Sequence, residues 1–365
     1  MTPKILFDGR VYQFQKTGGI SRYFTEIIKG LPRDWTPIIT GARDFGAQVP
    51  THPLLQLKMV PDLRPRKFFQ PSLRKLWKPG IVRNTDLLHP TYYDLTSGLE
   101  LPDFHCPVVQ TVYDMIYARF PGQMDNSETI IQNQRNAVRR ADRVICISKS
   151  TERDLLELIP SAVGKTIVIH LASSLGGVEP ITDGSQFASP TFLFVGARGG
   201  YKNFALLLRA FAKAASVQTN LRLNVVGPPL SEEERWQIYY LGISDKVTGV
   251  VFPNETTLQE LYRTSVALLY PSRYEGFGIP PLEAMACGTL VVTANTSSLP
   301  EVVGDAGIML DPANEQAWAE CILHLAQSFP GRNELLAKGR QRAAQFSWTE
   351  CVRQHVEIYR SLLSS

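Results

Sequence analysis

Short apolar runs recur along the chain at residues 4–7, 36–40, 86–89, 108–112, 143–147 and 166–169, each rich in Ile, Leu and Val. Apolar residues at successive positions suit strands that are covered on both faces. Between several of these runs, residues 21–30, 127–141 and 150–158 space their apolar positions as helices do. This strand and helix alternation predicts an α/β fold with a doubly wound parallel sheet. The pattern lapses over LASSLGGVEPITDGSQFASP, residues 171–190, where Gly, Ser and Pro crowd together. It restarts with strand-like runs at 191–195, 221–226, 247–252, 266–270, 290–294 and 308–310, and with helical patterns at 204–215, 257–263, 281–287 and 316–328. The chain therefore divides into a first domain over 1–172, a linker over 173–190 and a second domain over 191–347. A closing segment over 348–365 repeats apolar residues at Val352, Val356, Tyr359 and Leu363, the spacing of an amphipathic helix.

Two similar parallel sheets are expected to bind a ligand outside the carboxyl ends of their strands, gripping it across a cleft. The length of 365 residues agrees with two domains. No stretch approaches the ~20 apolar residues of a spanning helix, and the N-terminus lacks the apolar core of a secretory signal. Five cysteines, odd in number and never in a CxxC pair, read as reduced thiols of a cytoplasmic protein, not as a disulfide frame or zinc site. A net charge of +4 is too small to imply nucleic acid. Its distribution is uneven, however. Residues 62–83 carry Arg64, Arg66, Lys67, Arg74, Lys75, Lys78 and Arg83 against Asp62 alone, interleaved with Phe68, Phe69, Leu73, Leu76 and Trp77. That composition fits either peripheral contact with an anionic membrane or a solvated segment whose aromatics face the core.

Three stretches carry candidate chemistry. GARGGYKN, residues 196–203, is a glycine-rich turn between a strand and a helix, and it adds the cations Arg198 and Lys202 to its exposed amides. It suits a diphosphate, although neither GxGxxG nor GxxxxGK[ST] is present. TGGISRYF, residues 17–24, places Gly18 and Gly19 ahead of a helix expected to start near Ser21, where backbone amides meet an anion or merely turn the chain. SRYEGFGIPPLE, residues 272–283, sets Glu275 in a glycine-bracketed loop and Glu283 just past Pro280 and Pro281. The prolines predict a helix start, which puts Glu283 in the first turn, favourable to the helix dipole whatever else it does. Glu275 precedes that helix, where a carboxylate accepts hydrogen bonds from hydroxyls such as those of a sugar.

Glu275 and Glu283 resemble the E-x7-E signature of the retaining glycosyltransferases of family 4, which have the GT-B fold of two facing Rossmann-like domains. FLFVGARGGYKNFALLLRAF, the long stretch from LYRTSVALLYPSRYEGFGIPPLE to GIMLDP, and FSWTECVRQHVEIYRSLL resemble that family in order and spacing. TGGISRYF and TVYDMIYARFP are similar to a subgroup of bacterial enzymes, often mannosyltransferases, that build surface polysaccharides. The resemblance implies that Arg198 and Lys202 bind the donor diphosphate and that Glu275 holds donor-sugar hydroxyls. It further implies that Gly276, Phe277, Gly278 and Ile279 supply backbone contacts, that Glu283 bonds the ribose, and that Gly19 approaches the phosphates from the first domain. The closing helix is expected to cross back to that domain.

Many relatives carry histidine where Tyr113 stands, before the acid matching Asp114, so these two are candidates beside the sugar. Asp114 reads equally as a turn cap, and His89 more readily as a structural residue than a catalytic one. DxD, which holds a divalent metal in many glycosyltransferases, does not occur. No metal or other cofactor is therefore expected, with Arg198 and Lys202 in the metal's place. The implied partners are a nucleotide-sugar donor, GDP-mannose or a UDP-hexose, and a glycan or lipid-linked acceptor. A nucleotide-sugar epimerase and a non-catalytic glycan-binding module stand as alternatives on the same scaffold.

Overall fold

The computed structural model describes residues 2–15, 18–41, 49–59, 78–96, 99–179, 181, 189–327 and 329–364. It divides into two compact units, one of Met1–Leu171 with Trp348–Ser365, the other of Ala172–Ser347. The basic residues Arg64, Arg66, Lys67, Arg74 and Lys75 lie outside the described residues. Lys78, at the end of that segment, pairs with Asp103. Among the described residues no helix is long and apolar enough to cross a membrane.

In the first unit, β1 (Lys4–Asp8), β2 (Thr36–Gly41), β3 (Gln56–Met59) and β4 (Leu87–Leu88) form a parallel sheet in the order β3-β2-β1-β4. A parallel bridge from Leu88 to Val108 leads to β5 (Val109–Val112), β6 (Arg143–Cys146) and β7 (Thr166–Val168). The strand order thus reverses direction between β1 and β4, which opens a crevice at their carboxyl ends. Strand β3 had no apolar signature, because all four residues of QLKM are exposed at the sheet edge.

The closing helix, Trp348–Leu363, packs on this unit through a buried polar chain. His355 Nδ1 lies 2.7 Å from the Cys351 carbonyl, so that nitrogen is the donor and Nε2 accepts from the Tyr23 hydroxyl at 2.6 Å. Tyr23 then accepts from Thr111 at 2.9 Å, Thr111 from His89 Nε2 at 2.8 Å, and His89 Nδ1 from Tyr359 at 2.5 Å. With one proton per link, the bonds run in a single sense only while both imidazoles are neutral. Burial favours that state: it is the leading cause that puts His355 near 4 and His89 well below its ordinary value. His89 is accordingly part of the packing.

The second unit repeats the design. Strands β8 (Thr191–Val195), β9 (Arg222–Gly227), β10 (Val247–Val251), β11 (Ala267–Tyr270), β12 (Leu290–Ala294) and β13 (Ile308–Leu310) are all parallel, in the order β10-β9-β8-β11-β12-β13. Phe192, Phe194, Phe204, Leu207, Phe211 and Trp318 fill the core on one face of it. The order reverses between β8 and β11, and GARGGYKN and SRYEGFG are the segments that leave those two strands. The chain topology therefore brings Lys202 of one motif to Glu275 of the other.

Candidate functional site

Strand β8 delivers the chain to Gly196 and β9 delivers it to Gly227, both with positive φ (136° and 148°). A Cβ on Gly227 would stand 2.4 Å from the Gly196 carbonyl oxygen, so the two strand ends approach at backbone distance. Only glycine meets both demands at position 227. Beyond Gly196 the chain makes a tight 3-10 turn, Gly200–Lys202, and enters the helix Phe204–Val217 through Asn203, which is left-handed at φ 59°. The Asn203 amide group donates to the carbonyls of Pro271 (3.2 Å) and Pro312 (2.7 Å), stitching this turn to the segment after β11. The Arg273 amide completes the seam by donating to the Tyr201 carbonyl at 2.8 Å.

Arg198 is held along two edges of its guanidinium. Its Nε donates to Glu234 at 2.7 Å, and Nη2 donates to the carbonyls of Pro228 and Pro229 at 2.8 Å each. The side chain is only 5% exposed, and Nη1 is buried with no hydrogen-bond partner among the described residues. A buried cationic nitrogen without a partner is costly unless a ligand satisfies it, and a phosphate oxygen is its natural complement.

Lys202 Nζ lies 2.7 and 2.9 Å from the two oxygens of Glu275 and 3.3 Å from the Tyr270 hydroxyl. Their side chains are 13% and 9% exposed, so this ion pair is largely desolvated. Burial first, and the Glu275 charge second, hold the Tyr270 phenol protonated. The Glu275 backbone is fixed as firmly: its amide donates to Ser297 Oγ at 2.8 Å, and the Ser298 hydroxyl shares its one proton between the carbonyls of Phe277 (2.6 Å) and Glu275 (3.0 Å).

Glu283 differs from its expected place. The helix begins at Ile279, with Gly278 at φ 116° before it, two residues earlier than the prolines suggested. Proline tolerates the second and third helical positions as well as the first, because none of those N–H groups has an intrahelical partner. Glu283 consequently lies in the second turn, away from the dipole's positive end, where it is buried and accepts a hydrogen bond from the Tyr262 hydroxyl at 3.0 Å. The same prolines strip two donors from the helix start, and the Leu282 amide bonds back to the Gly278 carbonyl at 3.3 Å.

The first-unit candidates are engaged within that unit. The helix there is Gly19–Lys29, so Gly18 is its cap and Gly19 its first residue, again two positions before the expected start. The amides of Ile20 and Ser21, just after Gly18 and Gly19, both donate to the Gln15 side-chain oxygen at 3.1 Å. The Tyr113 hydroxyl donates to the Thr91 carbonyl at 2.8 Å, and burial pushes its pKa well above the usual value. Asp114 caps a turn by accepting from the Ile116 amide at 2.9 Å. Motif reading passed over Asn203, Glu234, Ser297 and Ser298, whose partners in this site are 21 to 109 residues away. It also passed over Asp8, a fully buried carboxylate at the end of β1 that accepts from the Thr96 amide and hydroxyl and the Arg10 amide.

Two Rossmann-like units, each with its crevice at the strand-order reversal, define the GT-B architecture. Residues 17–172 match the family described as Glycosyltransferase Family 4, and residues 184–342 match Glycosyl transferases group 1. The chain belongs to the glycosyltransferases that join these two domains. It is 27% identical to the O-antigen chain mannosyltransferase B of Escherichia coli, over 98% of this chain and 100% of that one. Its fold is similar to that of sucrose-phosphate synthase from Thermosynechococcus elongatus, with TM-score 0.79, 21% identity and full coverage of both chains. Anabaena HepE, solved in complex with UDP and glucose, aligns with TM-score 0.77 and 20% identity over 98% of this chain and 100% of that one.

Proposed function

We propose that this glycosyltransferase moves a hexose, with retention of anomeric configuration, from a nucleotide sugar to a glycan or lipid-linked acceptor in polysaccharide or lipopolysaccharide biosynthesis. Mannose from GDP-mannose is the preferred donor reading. The observation that carries the donor assignment is Arg198: a buried guanidinium locked on two edges, with Nη1 left for an anion, on the same turn as Lys202. As the glycosidic bond to the diphosphate breaks, negative charge grows on the phosphate oxygens, and fixed donors in a desolvated site stabilise it most. In this reading Arg198 and Lys202 do the work of a divalent cation, while Glu275 shares its oxygens between Lys202 and donor-sugar hydroxyls. The Ile279 amide and the Gly276 to Gly278 backbone line the donor, and Glu283 accepts from the ribose.

Retention usually implies a carboxylate nucleophile. The proposal here is front-face attack, in which the departing phosphate takes the acceptor's proton. The similarity to a mannosyltransferase supports mannose. UDP-glucose is the second reading, supported by the likeness to HepE and its bound UDP and glucose.

Incubation with GDP-mannose, UDP-glucose and UDP-galactose, in the presence and absence of EDTA, tests the proposal. Release of GDP from GDP-mannose alone, undiminished by EDTA, is the expected result, with an α-linked product by NMR once an acceptor is supplied. Activity abolished by EDTA would overturn the metal-independent reading, a β-linked product the retaining one, and selective turnover of a UDP-sugar the donor.

A further inference from the structure

Arg198 serves a diphosphate only while its guanidinium keeps one orientation, and the structure shows what sets that orientation. Of its five N–H groups, three are taken by protein oxygens: Nε by Glu234, and both hydrogens of Nη2 by the consecutive carbonyls of Pro228 and Pro229. The two that remain are both on Nη1. The carbonyls come from a backbone segment just past β9, whereas Glu234 is a side chain that must itself be held. Its holder is the start of its own helix, Glu232–Tyr240. Glu234 Oε2 accepts from the Ser231 amide at 2.7 Å, while the Glu234 amide donates to Ser231 Oγ at 3.1 Å, closing a capping box. One carboxylate thus does two jobs with two oxygens: Oε2 fixes the helix start and Oε1 fixes Arg198. Its side chain is 17% exposed, so the contact is largely shielded from water.

We propose that Glu234 is a positioning residue for the donor diphosphate, acting through Arg198 and never touching the ligand itself. The proposal rests on the reading of Arg198 given above. An acid beside an anion site has two opposed effects. Its charge repels the diphosphate, and its hydrogen bond aims the donor. The geometry favours aiming: Glu234 sits on the Nε edge, Nη1 lies on the other side of the guanidinium, and both carboxylate oxygens are already satisfied by N–H donors. Hydrogen-bond strength falls steeply once a donor swings out of line.

Glu234→Gln separates the effects. Glutamine still closes a capping box, so the helix start is retained. Its single carbonyl oxygen cannot serve both Ser231 and Arg198, and its NH₂ faces a donor at whichever position the oxygen leaves. Binding of GDP and of UDP is measured by titration calorimetry for wild type, Glu234→Gln, Arg198→Ala, the double variant and Ser231→Ala. The expected result is about tenfold weaker diphosphate binding in Glu234→Gln, with no further loss when that change is added to Arg198→Ala. Ser231→Ala, which removes the hydroxyl cap and leaves the Arg198 contact, is expected to lower the melting temperature and leave affinity unchanged. Tighter or unchanged binding in Glu234→Gln, or an equal loss in the Arg198→Ala background, overturns the positioning role. If Arg198→Ala itself binds GDP and UDP as wild type does, the diphosphate assignment of Arg198 fails instead.

Discussion

At the scale of single residues, the Lys202 and Glu275 pair is both a piece of the site and a liability for the fold. Removing one partner of a desolvated pair leaves a buried charge uncompensated, a loss of roughly 3–5 kcal/mol, while removing a donor to a developing oxyanion slows turnover by about 10²–10³. Lys202→Ala is therefore expected to lower both turnover and melting temperature. Adding Glu275→Gln should restore much of the melting temperature and none of the turnover. Turnover that recovers together with stability would show that Lys202 acts only by pairing with Glu275. The family resemblance implies separate tasks for these two residues, on phosphate and on sugar. Contact at 2.7 Å makes them one unit, so whatever draws Glu275 toward a sugar hydroxyl also changes the environment of Lys202.

At the scale of elements, the site depends on two strand ends meeting without side chains. Gly227→Ala places a Cβ 2.4 Å from the Gly196 oxygen and 3.3 Å from Arg198 Nη1, at a φ that L-residues rarely adopt. Strain of that kind costs of the order of 1–3 kcal/mol. The expected outcome is a melting temperature several degrees lower and weaker nucleotide binding, since β9 must move away from β8. A variant as stable as wild type would mean that the strand ends are slack. The parallel strands were legible because buried strands announce themselves as apolar runs, and β8, β12 and β13 fall where the pattern put them. The helix Glu232–Tyr240 was not, because it buries a single residue, Ile238, and so has no apolar stripe. Its only announcement is the Ser231 to Glu234 capping spacing, and that short stretch supplies the partner of Arg198.

At the scale of the whole molecule, the closing helix is tied to the first unit by groups that resist protonation. His355 and His89 have folded pKa values below the ordinary 6.5, near 4 for His355. Between pH 6.5 and 4 the unfolded chain binds a proton at His355 that the folded one does not, and His89 acts in the same direction, so stability rises with pH across that window. Asp8 works the other way: burial raises it from 3.8 to about 6, so the folded state holds an extra proton below pH 6 and loses that advantage as pH rises. Two histidines outweigh one aspartate. Urea denaturation is expected to show falling stability from pH 6.5 to 4.5, with a shallower fall in His355→Gln. A profile unchanged by that substitution would mean that His355 carries its proton in the folded state.

The sequence by itself determined the two repeated α/β patterns, the break between them and the cations and acids of the two conspicuous loops, because buried strands and glycine-rich turns leave local signatures. Tertiary structure alone decided which groups meet. Strand order put the ends of β8 and β11 side by side, joining residues more than 70 positions apart into the Lys202 and Glu275 pair. Folding also gave partners to groups that stand alone in the sequence: the Ile20 amide meets Gln15, the Tyr113 hydroxyl meets the Thr91 carbonyl, and one Glu283 oxygen meets Tyr262. The physical reason is that a buried polar group must find a partner, and which partner is near depends on chain topology rather than on neighbours in sequence.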